Sequence, residues 1–211
     1  METITACENI CRDFVWVGPF FEWLRNFAIV FGVGLAWWQL GSWKRERIAA
    51  KRADLGEELI AASSEIALHK SALRSPMGYG PPDGEVDDGT FDYVRRLKEL
   101  GNLDDDFSHL RKLKVRQRAF LSSTELDEAI EQFFEARSKI YVALNGKIRD
   151  VRGAQRFGRS YTDREFERSE RQDAVIWEDY ADDGDTIRIL VTSAQKAIED
   201  KVVPLIRFEN S

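Results

Sequence analysis

Cysteine and histidine are nearly missing from this chain: Cys7, Cys11, His69 and His109 are the whole supply. Two cysteines cannot build a disulfide framework or a four-ligand zinc site. Both precede the most apolar stretch and both histidines follow it, so a membrane there would part any Cys-His pair. A helical nuclease of the HEPN type needs an arginine a few residues ahead of a histidine, and neither His69 nor His109 has one. A bundled di-metal oxygenase needs Glu-x-x-His pairs. Here Glu65 stands four before His69, and no second motif occurs.

Other absences narrow the field further. No glycine-rich phosphate loop, nucleophile elbow or kinase signature occurs. Net charge is -6 and the isoelectric point is near 5.2, which disfavours general nucleic-acid binding. Acidic groups at Asp104, Asp105 and Asp106, at Glu125, Asp127, Glu128, Glu131 and Glu135, and at Asp182, Asp183 and Asp185 match no calcium-loop spacing. They suit helix starts and a solvated face. The expectation is a non-enzymatic chain without cofactor, metal or catalytic residues, and no family motif can be quoted from it.

What is present begins with residues 27–40, FAIVFGVGLAWWQL, which carry no charge. The low-charge zone widens to 19–43 if Glu22 and Arg25 sit at an interface. At ~1.5 Å per residue these lengths bracket a ~30 Å hydrocarbon core. Trp16, Phe20, Phe21 and Trp23 lie at one end, and Trp37, Trp38 and Trp43 at the other, as membrane-interface aromatics do. The bland alternative is a buried core helix.

The flanking charges set a direction. Lys44, Arg45, Arg47, Lys51 and Arg52 follow the stretch, against Arg12 and Arg25 before or at its start. By the positive-inside rule the C-terminal part faces the cytoplasm and the N-terminus faces outside an inner or plasma membrane. Those five cations are the expected lipid-headgroup contacts. A cleavable signal peptide fits poorly, because no basic segment leads the stretch and no small-x-small site ends it. Ala28, Gly32 and Ala36 form a smooth strip along one helix face, of the kind that lets membrane helices associate.

The expected organisation is therefore a short extracytoplasmic segment (1–18), a transmembrane helix (19–43) and a cytoplasmic domain (44–211). That fold class is all-α: a single N-terminal span running on into an antiparallel helical bundle. Leu55, Leu59, Ala62, Ile66, His69 and Leu73 form one seam. Residues 75–90 hold three of the five prolines and four glycines, marking a long loop. Stripes follow at Phe91, Val94, Leu97 and Leu100, and at Phe107, Leu110, Leu113 and Phe120.

Ser122 with Glu125 reads as a capping box opening the central helix, whose apolar set is Leu126, Ile130, Phe133, Phe134, Ile140, Tyr141, Leu144 and Ile148. Thr162 with Glu165 reads as a second box, leading into Phe166, Val175, Ile176, Trp177 and Tyr180. Leu190, Val191, Ala194, Ile198 and Val202 line the last helix, which Pro204 should kink or end near Val203.

Two basic runs stand out. Arg111, Lys112, Lys114, Arg116 and Arg118 form one. Arg149, Arg152, Arg156 and Arg159 form the other, a possible anion site that continues to Arg164, Arg168 and Arg171. Asp163, Glu165, Glu167 and Glu170 interleave with the second, so helix-surface ion pairs account for much of it. The functional expectation is a homo-oligomeric, membrane-anchored scaffold or regulatory subunit with membrane lipids and a protein as partners. The alternative is an oligomeric membrane-perturbing or pore-forming effector gated by its helical domain.

Overall fold

The computed structural model describes residues 17–78, 80–84, 88–157, 162–180 and 184–207. Six helices account for nearly all of them: α1 (Val17–Arg74), α2 (Phe91–Asn102), α3 (Asp104–Phe120), α4 (Thr124–Phe157), α5 (Asp163–Ile176) and α6 (Thr186–Ile206). No strand occurs among the described residues, so the all-α expectation holds. The chain divides into two units, Met1–Ala50 and Lys51–Ser211.

In the first unit the described residues are helical throughout. Cys7, Cys11, Arg12 and Trp16 lie outside the described residues. No helix among the described residues is long and apolar enough to cross a membrane, which departs from the span expected at 19–43. The physical reason is dilution: Gly32, Gly34, Gln39, Gly41, Ser42 and three tryptophans lower the mean hydropathy of a short uncharged stretch.

The second unit is a helical bundle built around α4, which packs against α2, α3, α5 and α6. Its core comes from the expected stripes: Leu55, Leu59 and Ile66 of α1, Leu110 and Leu113 of α3, Leu126, Ile130, Phe133, Ile140 and Leu144 of α4, and Val191, Ala194, Ile198 and Val202 of α6 are all buried. The seam on α1 meets α6 at Gly56, where a Cβ would come within 2.5 Å of Val202 Cγ1. Helix approach there requires glycine. Residues 75–78, 80–84 and 88–90 are irregular, as their glycines and prolines predict.

Local details correct the expectations in three places and match them in a fourth. Ser122 does not open α4: at φ 50° it closes α3, its N–H donating to Gln117 O at 3.0 Å. The next residue takes the capping role, with Ser123 Oγ accepting from Leu126 N–H at 3.3 Å. The second box forms as expected, Glu165 accepting the Thr162 N–H at 2.9 Å. Pro204 neither ends nor breaks α6 at Val203, because so close to the C-terminus its missing N–H removes a single ladder bond. Tyr141, Phe166 and Tyr180, placed among the apolar stripes, are exposed.

Candidate functional site

Between Trp23 and Trp43 a dozen large apolar side chains, Trp23 through Trp43, are 44–78% exposed. By helical period the twelve together point around most of the axis, Phe27, Phe31 and Leu35 on one side and Ile29, Val30 and Val33 on the other. Trp23, Phe27 and Phe31, spaced by four, stack along one edge at centroid distances of 5.5 and 6.1 Å. Gly32 meets nothing within 4 Å, so the strip it forms with Ala28 and Ala36 is open to an approaching surface. All three are exposed.

The five cations that follow separate into two sets. Lys44, Arg45 and Arg47 are exposed, with the Arg47 guanidinium 4.3 Å from the Trp43 ring centroid. Arg52 is committed elsewhere, its Nε donating to Phe120 O at 3.0 Å, where it serves the carboxyl end of α3. Lys51 lies 6.0 Å from the Phe120 ring.

The two basic runs differ in the same way. In the first, Lys114 pairs with Glu131, Arg116 with Glu58, Arg118 with Asp127, and Arg111 lies over Phe134. Only Lys112 is left. In the second, Arg168 is taken up bidentately by Asp150, and Arg171 donates to the Glu167 carbonyl. Arg149, Arg152 and Arg156, however, line one groove of about 1120 Å³ on α4. Arg159, the fourth of the expected set, lies outside the described residues.

Charges also occupy the interior, and none was anticipated there. Arg74 is fully buried: Nη1 donates to Asp185 at 2.6 Å, Nε to Val175 O at 2.8 Å, and Nη2 to Trp177 O at 2.9 Å. Burial opposes ionisation of Asp185, but the hydrogen bonds from Arg74 and from Arg188 N–H outweigh it and hold the carboxyl below its ordinary range. Arg96 is buried beside Trp177, 4.3 Å from its ring centroid, and donates to the carbonyls of Leu73, Ser75 (2.8 Å) and Met77 (3.2 Å). Arg96 thus satisfies carbonyls where α1 ends, and Arg74 those of Ala174, Val175 and Trp177 where α5 ends.

Lys70, buried one turn earlier, has its pKa pulled down to about 8, first by burial and then by Arg74. His69 is oriented by Asp106, Nδ1 donating at 3.1 Å, and borders a second groove of about 560 Å³ with Arg95 and Glu99. No cluster of three or more His, Cys, Asp or Glu among the described residues is arranged to hold a metal.

The chain matches no family model, no curated protein and no solved structure. The functional reading therefore rests on this geometry alone. Sequence reasoning found the arginines of the large groove and missed the buried pair. A signal existed: an arginine ending a long helix immediately before a loop is placed to bond the last carbonyls, its own helix's or a neighbour's.

Proposed function

We propose that this protein is a membrane-anchored helical scaffold or regulatory subunit, held by the apolar stretch of α1 as a single pass and acting through its bundle. The observation that supports this most is the uncovered apolar surface between Trp23 and Trp43, exposed around most of the helix. Soluble proteins rarely leave such an area to water, and a helix apolar on all sides belongs in a protein interior or in lipid. The mean hydropathy of the stretch is low in part because of Trp37, Trp38 and Trp43, yet indole rings favour the headgroup level. A length of ~25 Å over residues 27–43 is short for a ~30 Å core, and short spans are accommodated by thinning the bilayer or by oligomerising.

Lys44, Arg45 and Arg47 support a cytoplasmic side for the C-terminal part by the positive-inside rule, with anionic headgroups as their own partners. Ala28, Gly32 and Ala36 supply the contact strip for self-association.

Membrane fractionation tests the anchor: full-length chain should pellet after lysis and resist carbonate, entering the supernatant only with detergent. Cross-linking in membranes tests assembly, with Gly32→Leu expected to abolish the cross-linked species. Leakage of a small dye on expression would favour the pore-forming alternative, and its absence in a cross-linked, pelleted protein the scaffold. Recovery of the chain in the detergent-free supernatant would overturn the anchor itself.

A further inference from the structure

Arg149, Arg152 and Arg156 fall at i, i+3 and i+7 on α4, so their like charges repel along one helix face. Among the described residues Arg149 and Arg156 have no carboxylate partner, and both are exposed. Arg152 reaches only Asp88, at 3.9 Å, with both side chains about half exposed. Asp88 is already engaged: it accepts the Thr90 N–H at 2.9 Å and the Thr90 hydroxyl at 2.6 Å, and these bonds hold its carboxyl below the ordinary range. Among the described residues that line the groove, three guanidiniums stand against one committed carboxylate, a surplus of positive charge. The first basic run shows that this chain can neutralise its cations, since almost every member of it has an acidic or aromatic partner.

The glycines of α4 give an independent sign. Gly146 is required by packing, because a Cβ there would come within 2.5 Å of Gln172 Nε2. Gly153 is not: a Cβ would meet nothing within 4 Å, although Gly inside a helix costs about 0.5–1 kcal/mol relative to Ala. It lines the groove between Arg152 and Arg156, where the missing side chain keeps the surface open.

The dimensions select the ligand. Arg149 and Arg152 are about one turn apart, ~4.5 Å along the axis, a spacing that suits successive phosphates of a chain. Tyr141, half exposed on the same groove, lies ~12 Å before Arg149 and offers a ring face for stacking. Asn145, between them, donates to Tyr141 O at 2.9 Å and keeps its side-chain oxygen as an acceptor for an amino group. We propose that this groove binds a nucleoside polyphosphate, with the base toward Tyr141 and the phosphates on Arg149 and Arg152, Arg156 lying ~22 Å along the axis from Tyr141 and adding long-range positive charge. The site uses α4 and Asp88 only, and so stands or falls separately from the membrane anchor.

The test is equilibrium binding of fluorescent mant-ATP to the full chain in detergent, competed with unlabelled ATP, inorganic triphosphate and phosphatidylglycerol vesicles. Saturable binding is expected, displaced better by ATP than by triphosphate and not displaced by vesicles. Arg149→Glu and Arg152→Glu should each weaken it by about tenfold or more, as loss of a charge-assisted hydrogen bond implies. Gly153→Leu should weaken it comparably by filling the groove without changing charge, and Lys112→Glu should leave it unchanged. Circular dichroism on each variant confirms that the bundle is folded. Absence of saturable binding, preferential displacement by vesicles, triphosphate competing as well as ATP, or equal binding by the groove variants would overturn the proposal.

Discussion

The two units invert one another. In the first, tryptophan, phenylalanine, valine and leucine side chains are exposed, and among the described residues none is buried. In the second, Arg74, Arg96 and Asp185 are buried while aliphatic stripes close around α4. Each exception to ordinary burial has its own remedy. Buried charges are tolerated where every hydrogen-bonding arm finds a carbonyl or carboxylate, as those of Arg74 and Arg96 do. Exposed apolar side chains have no such internal remedy, so a solvent other than water, or another surface, must supply it.

The largest test of this contrast is the double substitution Val30→Asp with Val33→Asp. Each acidic residue at a span centre costs about 2.5–3.5 kcal/mol of insertion, so the protein should move from the membrane pellet to the supernatant. The thermal midpoint of the bundle, followed by circular dichroism, should stay put. A parallel loss of bundle stability would break the contrast, because it would make the exposed stretch part of the folded core.

Next in size is Arg74→Ala, which strands Asp185 and three carbonyls in the interior. A loss of about 3–5 kcal/mol in chemical denaturation is expected. Gly56→Val should cost about 1–3 kcal/mol by forcing α1 from Val202. Neither change should alter membrane partitioning of whatever fraction folds.

The smallest effect is a slope. Lys70 binds its proton less readily in the folded state, with a pKa near 8 against an ordinary value of 10.5. Between those two values the unfolded chain holds more protons, so stability should rise with pH from about 8 towards 10. Below 8 the charged, buried ammonium is a standing cost. Lys70→Met should flatten the slope and raise the denaturation midpoint at neutral pH; an unchanged slope would place Lys70 in water.

Much of this was legible in order of locality. The seam from Leu55 to Leu73, the stripe from Leu126 to Ile148 and the Thr162–Glu165 box are patterns of three or four residues, set by helical geometry, and they reappear in the fold. Ser122 against Ser123 was misjudged because a left-handed residue serving the preceding helix outranks a spacing rule for the next one. Tyr141 sat on the right period for the core, but at the border of the stripe, where the width of the neighbouring helix decides burial. Of the groove, the arginines were visible; the openness of Gly153 and the prior commitment of Asp88 were not.

By itself, the order of residues determined the helices, their inward faces, the loop at 75–90 and the greasy stretch with its cationic flank, since each depends on neighbours within a turn or two. The tertiary structure alone decided which charges are used up. Arg74 meets Asp185 across 111 positions and Arg116 meets Glu58 across 58, while Arg149 and Arg156 meet no acid among the described residues. Coulombic partnership depends on distance in space, and distance in space between remote residues is fixed only when the helices pack.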